Sequence, residues 1–347
     1  METITLKDLY NDYKNQHPKA RIKNIAEALK VSELELLEVS ATERLVYLGD
    51  NFKGLLKDMH ELGEVMALTR NEHAVHETKG VYGNVSFMEK APMGLAHNEI
   101  IDMRYFISNW AHVYAVVFQS GNRTMHSFQI FDKYGTAVHK IYAIKGTNLD
   151  AYEALVERYQ VAEPRIGNIV AKENNKPSPT PVEEVDVPAF QNEWLNMKDT
   201  HDFFGMLRKY KLNRQQAFRL APEGTTYQVE KDAIVKMLEA AVERNVPIMV
   251  FLGNPSCLQI FSGEINKLVE MNGWYNVLDP KFNLHLKLES IDDVWVVKKH
   301  TEDGIVTSLE LFDADGQHIL YCFGKRKPGI PELESWRDIV ADLPALS

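Results

Sequence analysis

The sequence predicts an α+β fold made twice over, each half opening with helices and closing with a large antiparallel β-sheet. Three observations predict it. A proline-rich polar stretch falls near the middle of the 347 residues. Three pairs of segments match across that stretch in the same order. Strands follow helices as a block, with no βαβ alternation to build a parallel sheet.

The dividing stretch is "KENNKPSPTPVEEVDVPAF", residues 172–190, with Pro177, Pro179, Pro181 and Pro188. Proline at that density favours extended backbone and excludes helix, so residues 1–171 and 191–347 are expected to be the two repeats. Ahead of it, the charged amphipathic N-terminus "METITLKDLYNDYKNQHPKARIKNIAEAL" reads as helix and lacks the apolar centre of a signal peptide. "LLKDMHELGEVMALTRN" resembles "MLEAAVERNVPIMVFLGN", which sets Asn71 over Asn254 after a two-residue adjustment. An offset of 181 carries "HVYAVV" (112–117) onto "DVWVVK" (293–298). The same offset carries "HSFQIFDKYGTAVHKIYA" onto "TSLELFDADGQHILYCFG", pairing Phe131 with Phe312. In both, alternating apolar residues run into Phe-Asp-x-x-Gly and out again, the pattern of a hairpin turned by aspartate and glycine.

Composition narrows the function. A hydrophobic fraction of 45% and a charged fraction of 25% belong to a folded globular chain, and a net charge of −10 speaks against general nucleic-acid binding. Cys257 and Cys322 have no metal-type or CxxCH spacing, so neither a disulfide scaffold nor covalent haem is expected. No apolar run reaches the roughly 20 residues of a membrane span, and a cytoplasmic protein is expected. GxGxxG after a strand and GxxxxGK[ST] are both absent, and Ser256 lacks a GxSxG context.

The most informative segment is "MKDTHDFFGMLRKYKLNRQQAF", residues 197–218. It reads as a helix opening at Asp199, with Asp199 or Thr200 as cap, then a break at 211–213 and a second helix from Arg214. His201 and Gly205 lie one turn apart on one face, and an interior glycine costs about 1 kcal/mol relative to alanine. Two explanations stand open: clearance for a flat ligand such as a porphyrin, whose iron imidazole can bind, or room for a neighbouring helix. Arg214, Lys298, Lys299, Lys325, Arg326 and Lys327 are solvated surface charges or partners for ligand carboxylates. In "IIDMRYFISNW", Arg104 and Phe106 share a strand face, and Arg104 maps onto His285 under the offset of 181. His73 and His76 are three apart, a spacing that favours structural roles.

Together with "NPSCLQIFSGEINKLVEMNGWYNVLDPKFNLHL", "DGIVTSLELFDADGQHILYCFGKR" and "RNEHAVHE", these strings resemble the HemS/ChuS/HmuS family of bacterial cytoplasmic haem-binding and haem-degrading proteins. The resemblance implies a tandem duplication with haem in a cleft involving both halves. It implies His201 as the axial iron ligand, Arg104 on the distal side, and Arg214, Lys299 and Arg326 at the propionates. It implies Phe106 and Phe251 as haem-lining aromatics. The family usually has glutamine and tyrosine where this chain has Tyr321 and Phe323, so Tyr321 is expected to supply the propionate hydrogen bond that Phe323 lacks. The activity implied is oxidative haem degradation that releases iron and needs an external reductase or other electron donor. The alternative is a chaperone passing haem from an importer to a separate haem oxygenase. His73, His76 and His285 are the candidates for any second haem site.

Overall fold

The computed structural model describes residues 4–40, 43–161, 169–170, 180–327 and 329–346. Its strands sort into two nine-stranded sheets, and the chain divides into two compact units. One comprises the described residues of Met1–Arg70, Glu77–Glu173 and Asn254–Gln259; the other comprises those of Asn71–His76, Asn174–Gly253 and Ile260–Ser347. Each unit thus incorporates a six-residue segment numbered within the other half of the sequence.

The first unit opens with three short helices, α1 (Leu6–Gln16), α2 (Ile22–Leu29) and α3 (Glu33–Val39). Thr5 with Asp8 and Ser32 with Glu35 form capping boxes that satisfy the first free N–H groups of α1 and α3. Lys30 ends α2 in the left-handed region, φ 56°, and Ile25, Ala26 and Leu36 meet in a small shared core. After β1 (Arg44–Tyr47) and α4 (Phe52–Asp58) come β2 (Glu64–Arg70), β3 (Ala74–Val81), β4 (Ser86–Phe87), β5 (Met93–His97) and β6 (Asp102–Phe106). The long meander β7 (Trp110–Ser120), β8 (Arg123–Asp132), β9 (Ala137–Ala143) leads to α5 (Leu149–Tyr159). The antiparallel order is β1-β7-β8-β9-β2, with β4-β5-β6 as a second run.

The second unit repeats the plan: α6 (Val187–Leu195), α7 (Asp202–Tyr210), α8 (Arg214–Leu220), β10 (Thr226–Val229), α9 (Ala233–Glu243), β11 (Ile248–Asn254), β12 (Cys257–Gly263), β13 (Leu268–Met271), β14 (Trp274–Leu278), β15 (Phe282–Lys287), β16 (Asp293–Thr301), β17 (Gly304–Phe312), β18 (His318–Gly324) and α10 (Glu334–Ala341). Its antiparallel order is β10-β16-β17-β18-β11, with β13-β14-β15 as a second run. Alternation along β16 sends Val294 and Val296 into a core with Met237, Leu238, Trp336 and Ile339 of α9 and α10. Trp295 and Val297 face the other way and pack with Phe190, Trp194, Phe203, Met206 and Phe218 of α6–α8.

The repeat is visible in side-chain chemistry. Asp132 Oδ1 accepts from the backbone N–H of Tyr134 and Thr136, and Asp313 Oδ1 accepts from those of Asp315 and Gln317. Gly135 and Gly316 follow at φ 71° and 70°, a conformation that side chains resist, and each hairpin is irregular one residue before its aspartate. Asn254 Nδ2 donates to the carbonyls of Arg70 and Val138 while its Oδ1 accepts from Ser256 and Cys257 N–H. Asn71 Nδ2 donates to Gly253 and Ile319 while its Oδ1 accepts from His73 and Ala74. The same side chain therefore closes the same tight turn in both units.

Two expectations change. Residues 172–179 of the expected linker lie outside the described residues, but its far end is helical: α6 starts at Val187 with Pro188 in the first turn. Proline is tolerated there because that N–H has no intrahelical acceptor. The helix expected from Asp199 starts at Asp202, because Asp199 caps a preceding turn, accepting from His201 N–H at 2.8 Å.

Candidate functional site

The site is built from the entry to α7 and the face of the sheet beside it. His201 occupies the cap position of α7, where the turn through 199–202 pushes its side chain outward; it is 87% exposed. Its Nδ1 is bonded to the Asp199 carboxylate. Burial raises the Asp199 pKa, but the His201 backbone and ring hydrogen bonds, with His201 and Arg326 charge, hold it below the usual carboxylate value. A carboxylate on Nδ1 fixes the tautomer that leaves the Nε2 lone pair for a metal. Gly205 lies in the next turn, and beyond its own helix backbone a Cβ built there meets no atom of the described residues within 4 Å. Among the described residues, no neighbouring helix fills the space beside this glycine.

Beneath α7 and α8, one row of side chains crosses the sheet. Trp295, Glu310, Tyr321 and Phe251 are successive cross-strand partners on β16, β17, β18 and β11. Tyr321 stacks on Phe251 at 4.8 Å between ring centres, and Phe323 meets both edge-on. Arg214, the first residue of α8, reaches down to this row. Its Nε and Nη2 donate to Glu310 Oε2 at 2.9 and 2.6 Å, and its guanidinium lies within 6 Å of the rings of Phe203, Phe204, Phe218 and Tyr321. Lys299 Nζ and Ser308 Oγ donate to Glu310 Oε1 at 3.0 and 2.9 Å. Burial alone would raise the Glu310 pKa, yet the Arg214 and Lys299 charges drive it far below the carboxylate range. Burial and the nearby cations lower His318 to about 3, against the pull of Glu310, so it is neutral.

Lys299 is thus an interior residue. Its ammonium is already spent on Glu310 and lies over Phe203, which alters the expectation of a direct propionate ligand. Arg326 is better placed. Its Nη2 donates to Asp303 Oδ2 at 2.7 Å, while its Nε is buried with no hydrogen-bond partner among the described residues. An unsatisfied guanidinium N–H is costly to bury and suits an incoming carboxylate.

The first unit carries a different version. Positions matching Trp295, Glu310 and Tyr321 are Tyr114, Gln129 and Lys140, themselves cross-strand partners. The residue matching Arg214 is Glu33, which pairs with Arg70 and Lys140. Ala20 and Asn24 stand for His201 and Gly205, in a shallow depression of about 500 Å³ with Tyr13 and His17. His17 lies in that depression, but Ala20 holds the place of His201, and Leu68 paired with Lys140 replaces the stacked Phe251 and Tyr321. Arg104 and Phe106 share the half-buried face of β6, and the Arg104 guanidinium is bonded to Asp102 and to the Met103 carbonyl. His73 pairs with Asp313 at 2.9 Å, His76 is buried against Phe282, and His285 Nδ1 meets Asn276 Oδ1 at 2.6 Å.

Reading the sequence missed Glu310. An isolated glutamate in the alternating "SLELF" reads as solvent-facing, although Gln129 at the matching place in "SFQIF" was a sign that the position is polar in both halves. It also missed Asp199 as the partner of the imidazole and Asp303 as that of Arg326.

The profile of the family described as "HemS: Haemin-degrading HemS.ChuX domain" matches residues 30–159 and 211–343. The chain belongs to the HemS family. The hemin transport protein HmuS of Yersinia pestis is 35% identical over 339 residues, covering 96% of this chain and 97% of that protein. Holo-PhuS, a heme-binding protein from Pseudomonas aeruginosa, superposes with a TM-score of 0.93 at 39% identity over 97% of each chain. ChuS, an E. coli heme oxygenase, gives 0.85 at 34% identity over 97% of this chain and 99% of its own. The second HemS-matched stretch contains Arg214, Lys299, Glu310, Tyr321 and Arg326.

Proposed function

We propose that this HemS-family protein binds haem as substrate, with His201 Nε2 on the iron, and opens the porphyrin oxidatively to release iron. The observation that carries the reading is the exposed imidazole whose Nδ1 is held by Asp199, one turn from a glycine that faces open space. The stacked Phe251–Tyr321 pair offers a flat apolar surface, and Arg326, with its unsatisfied Nε, and Arg214 offer donors for propionates. Lys299 contributes its charge from below, through Glu310. The Tyr321 hydroxyl stands in for the one missing at Phe323. Arg104 and Phe106 belong to this reading on the strength of the motif that carries them, Arg104 donating hydrogen bonds where negative charge develops during oxygen chemistry. The porphyrin iron supplies the redox chemistry, and the chain's residues bind, orient and stabilise. No flavin or nicotinamide motif is present in the sequence, so electrons come from a separate donor. Two unpaired buried thiols, Cys257 and Cys322, suit the reducing cytoplasm this role requires.

A carrier role, handing haem to another oxygenase, is favoured by one observation: an imidazole 87% exposed is open to exchange with another protein. Anaerobically loaded protein given a reductant, oxygen and catalase separates the two. Loss of the Soret band with a defined open-chain tetrapyrrole is expected; intact haem, or degradation that catalase abolishes, contradicts true oxygenase activity.

A further inference from the structure

We infer that Glu310 is a positioning residue that gives this site its preference for a porphyrin bearing free carboxylates, by gripping one edge of Arg214 and leaving the other edge for the ligand. The inference rests on the haem reading above and deepens it.

A guanidinium binds a carboxylate through two parallel N–H groups, and it has more than one such edge. In this protein the edge made of Nε and Nη2 is closed on Glu310 Oε2, whereas Nη1 has no hydrogen-bond partner among the described residues. Glu310 is fully buried, and its second oxygen is saturated by Lys299 and Ser308. A carboxylate held from four directions is a fixed part of the floor. The four rings around Arg214 remove its remaining freedom, so the open edge is aimed before a ligand arrives and little ordering remains to be done on binding. The charges also fail to cancel. One carboxylate faces two cations beside a neutral His318, leaving one positive charge that an incoming anion neutralises.

The first unit supplies an internal comparison. There the glutamate sits on the helix, as Glu33, and the strand position is Gln129, so the polarity is inverted and no arginine is forked from below. The arrangement at Glu310 is therefore not a requirement for building this sheet.

The test compares affinities for ferric protoporphyrin IX and its dimethyl ester, in which both carboxylates are blocked. Wild-type protein is expected to prefer the free acid by tenfold or more. Glu310→Gln should lose most of that preference by weakening acid binding, with ester affinity kept within about twofold, and combining it with Arg214→Ala should add little to Arg214→Ala alone. An unchanged preference, tighter acid binding, or an equal loss for both porphyrins would each overturn the role. Should Glu310→Gln fail to fold, Arg214→Lys keeps the charge, removes the fork and is expected to lose the same preference; retention of the preference overturns the inference. Wild-type protein that binds neither porphyrin overturns the haem reading itself.

Discussion

His201 offers a metal one nitrogen because Asp199 occupies the other, and this sets what substitution should do. His201→Ala is expected to weaken haem binding at least tenfold and to change the iron spin state; an unaltered absorption spectrum and affinity would refute the assignment. Asp199→Asn keeps the ligand and loosens its orientation, so a smaller loss, at the lower end of the roughly 10- to 100-fold typical of such partners, is expected in a haem titration. Arg104→Ala should leave binding largely intact and slow turnover, since its guanidinium lies in a different unit from the imidazole. Gly205→Leu adds bulk where no described side chain lies within 4 Å, so haem binding should fall while the thermal midpoint stays within a few degrees. At this scale the sequence was partly legible. A histidine above a glycine is a local pattern, readable from helical spacing. Glu310 was not readable, because its charged partners Arg214 and Lys299 come from two other elements, α8 and β16, and only folding brings them to it.

Among the elements, the hairpins were legible for the opposite reason. Everything that makes the β8–β9 and β17–β18 turns lies within five residues: an aspartate bonding the N–H groups two and four residues ahead, and a glycine at positive φ. The start of α7 lies three residues later than the sequence suggests because both aspartates close the turn before it; Asp202 accepts from Lys198 and Asp199 N–H, while Asp199 accepts from His201 N–H. Pro188, a helix breaker by composition, is a first-turn residue of α6. The asparagine turns give a test. Asn254→Ala removes two donated and two accepted hydrogen bonds to backbone at once, so a loss of about 2–3 kcal/mol in urea unfolding is expected, given the roughly 1–3 kcal/mol cost of each buried group left unpaired. A loss below about 0.5 kcal/mol would mean that water replaces them.

For the whole molecule, the buried histidines dictate the response to acid. His76, His139 and His318 are each lowered from 6.5 to about 3, with burial the largest cause. Folded, they stay neutral; unfolded, they take up protons near 6.5. Between those values the unfolded chain binds more protons, so stability present above about pH 6.5 is lost as pH falls towards 3. Urea midpoints measured at pH 7.5, 6 and 5 should fall steadily; a constant midpoint across that range contradicts neutral burial. No helix among the described residues is long and apolar enough to cross a membrane.

The segments Asn71–His76 and Asn254–Gln259 belong to the unit opposite to the one their numbering suggests. A gene cut in the middle would therefore yield two fragments, each short of six residues of its own body and each carrying six that it cannot use. Each body is thus completed by the other half of the sequence, even where the two halves differ in chemistry, as at His201 and Ala20.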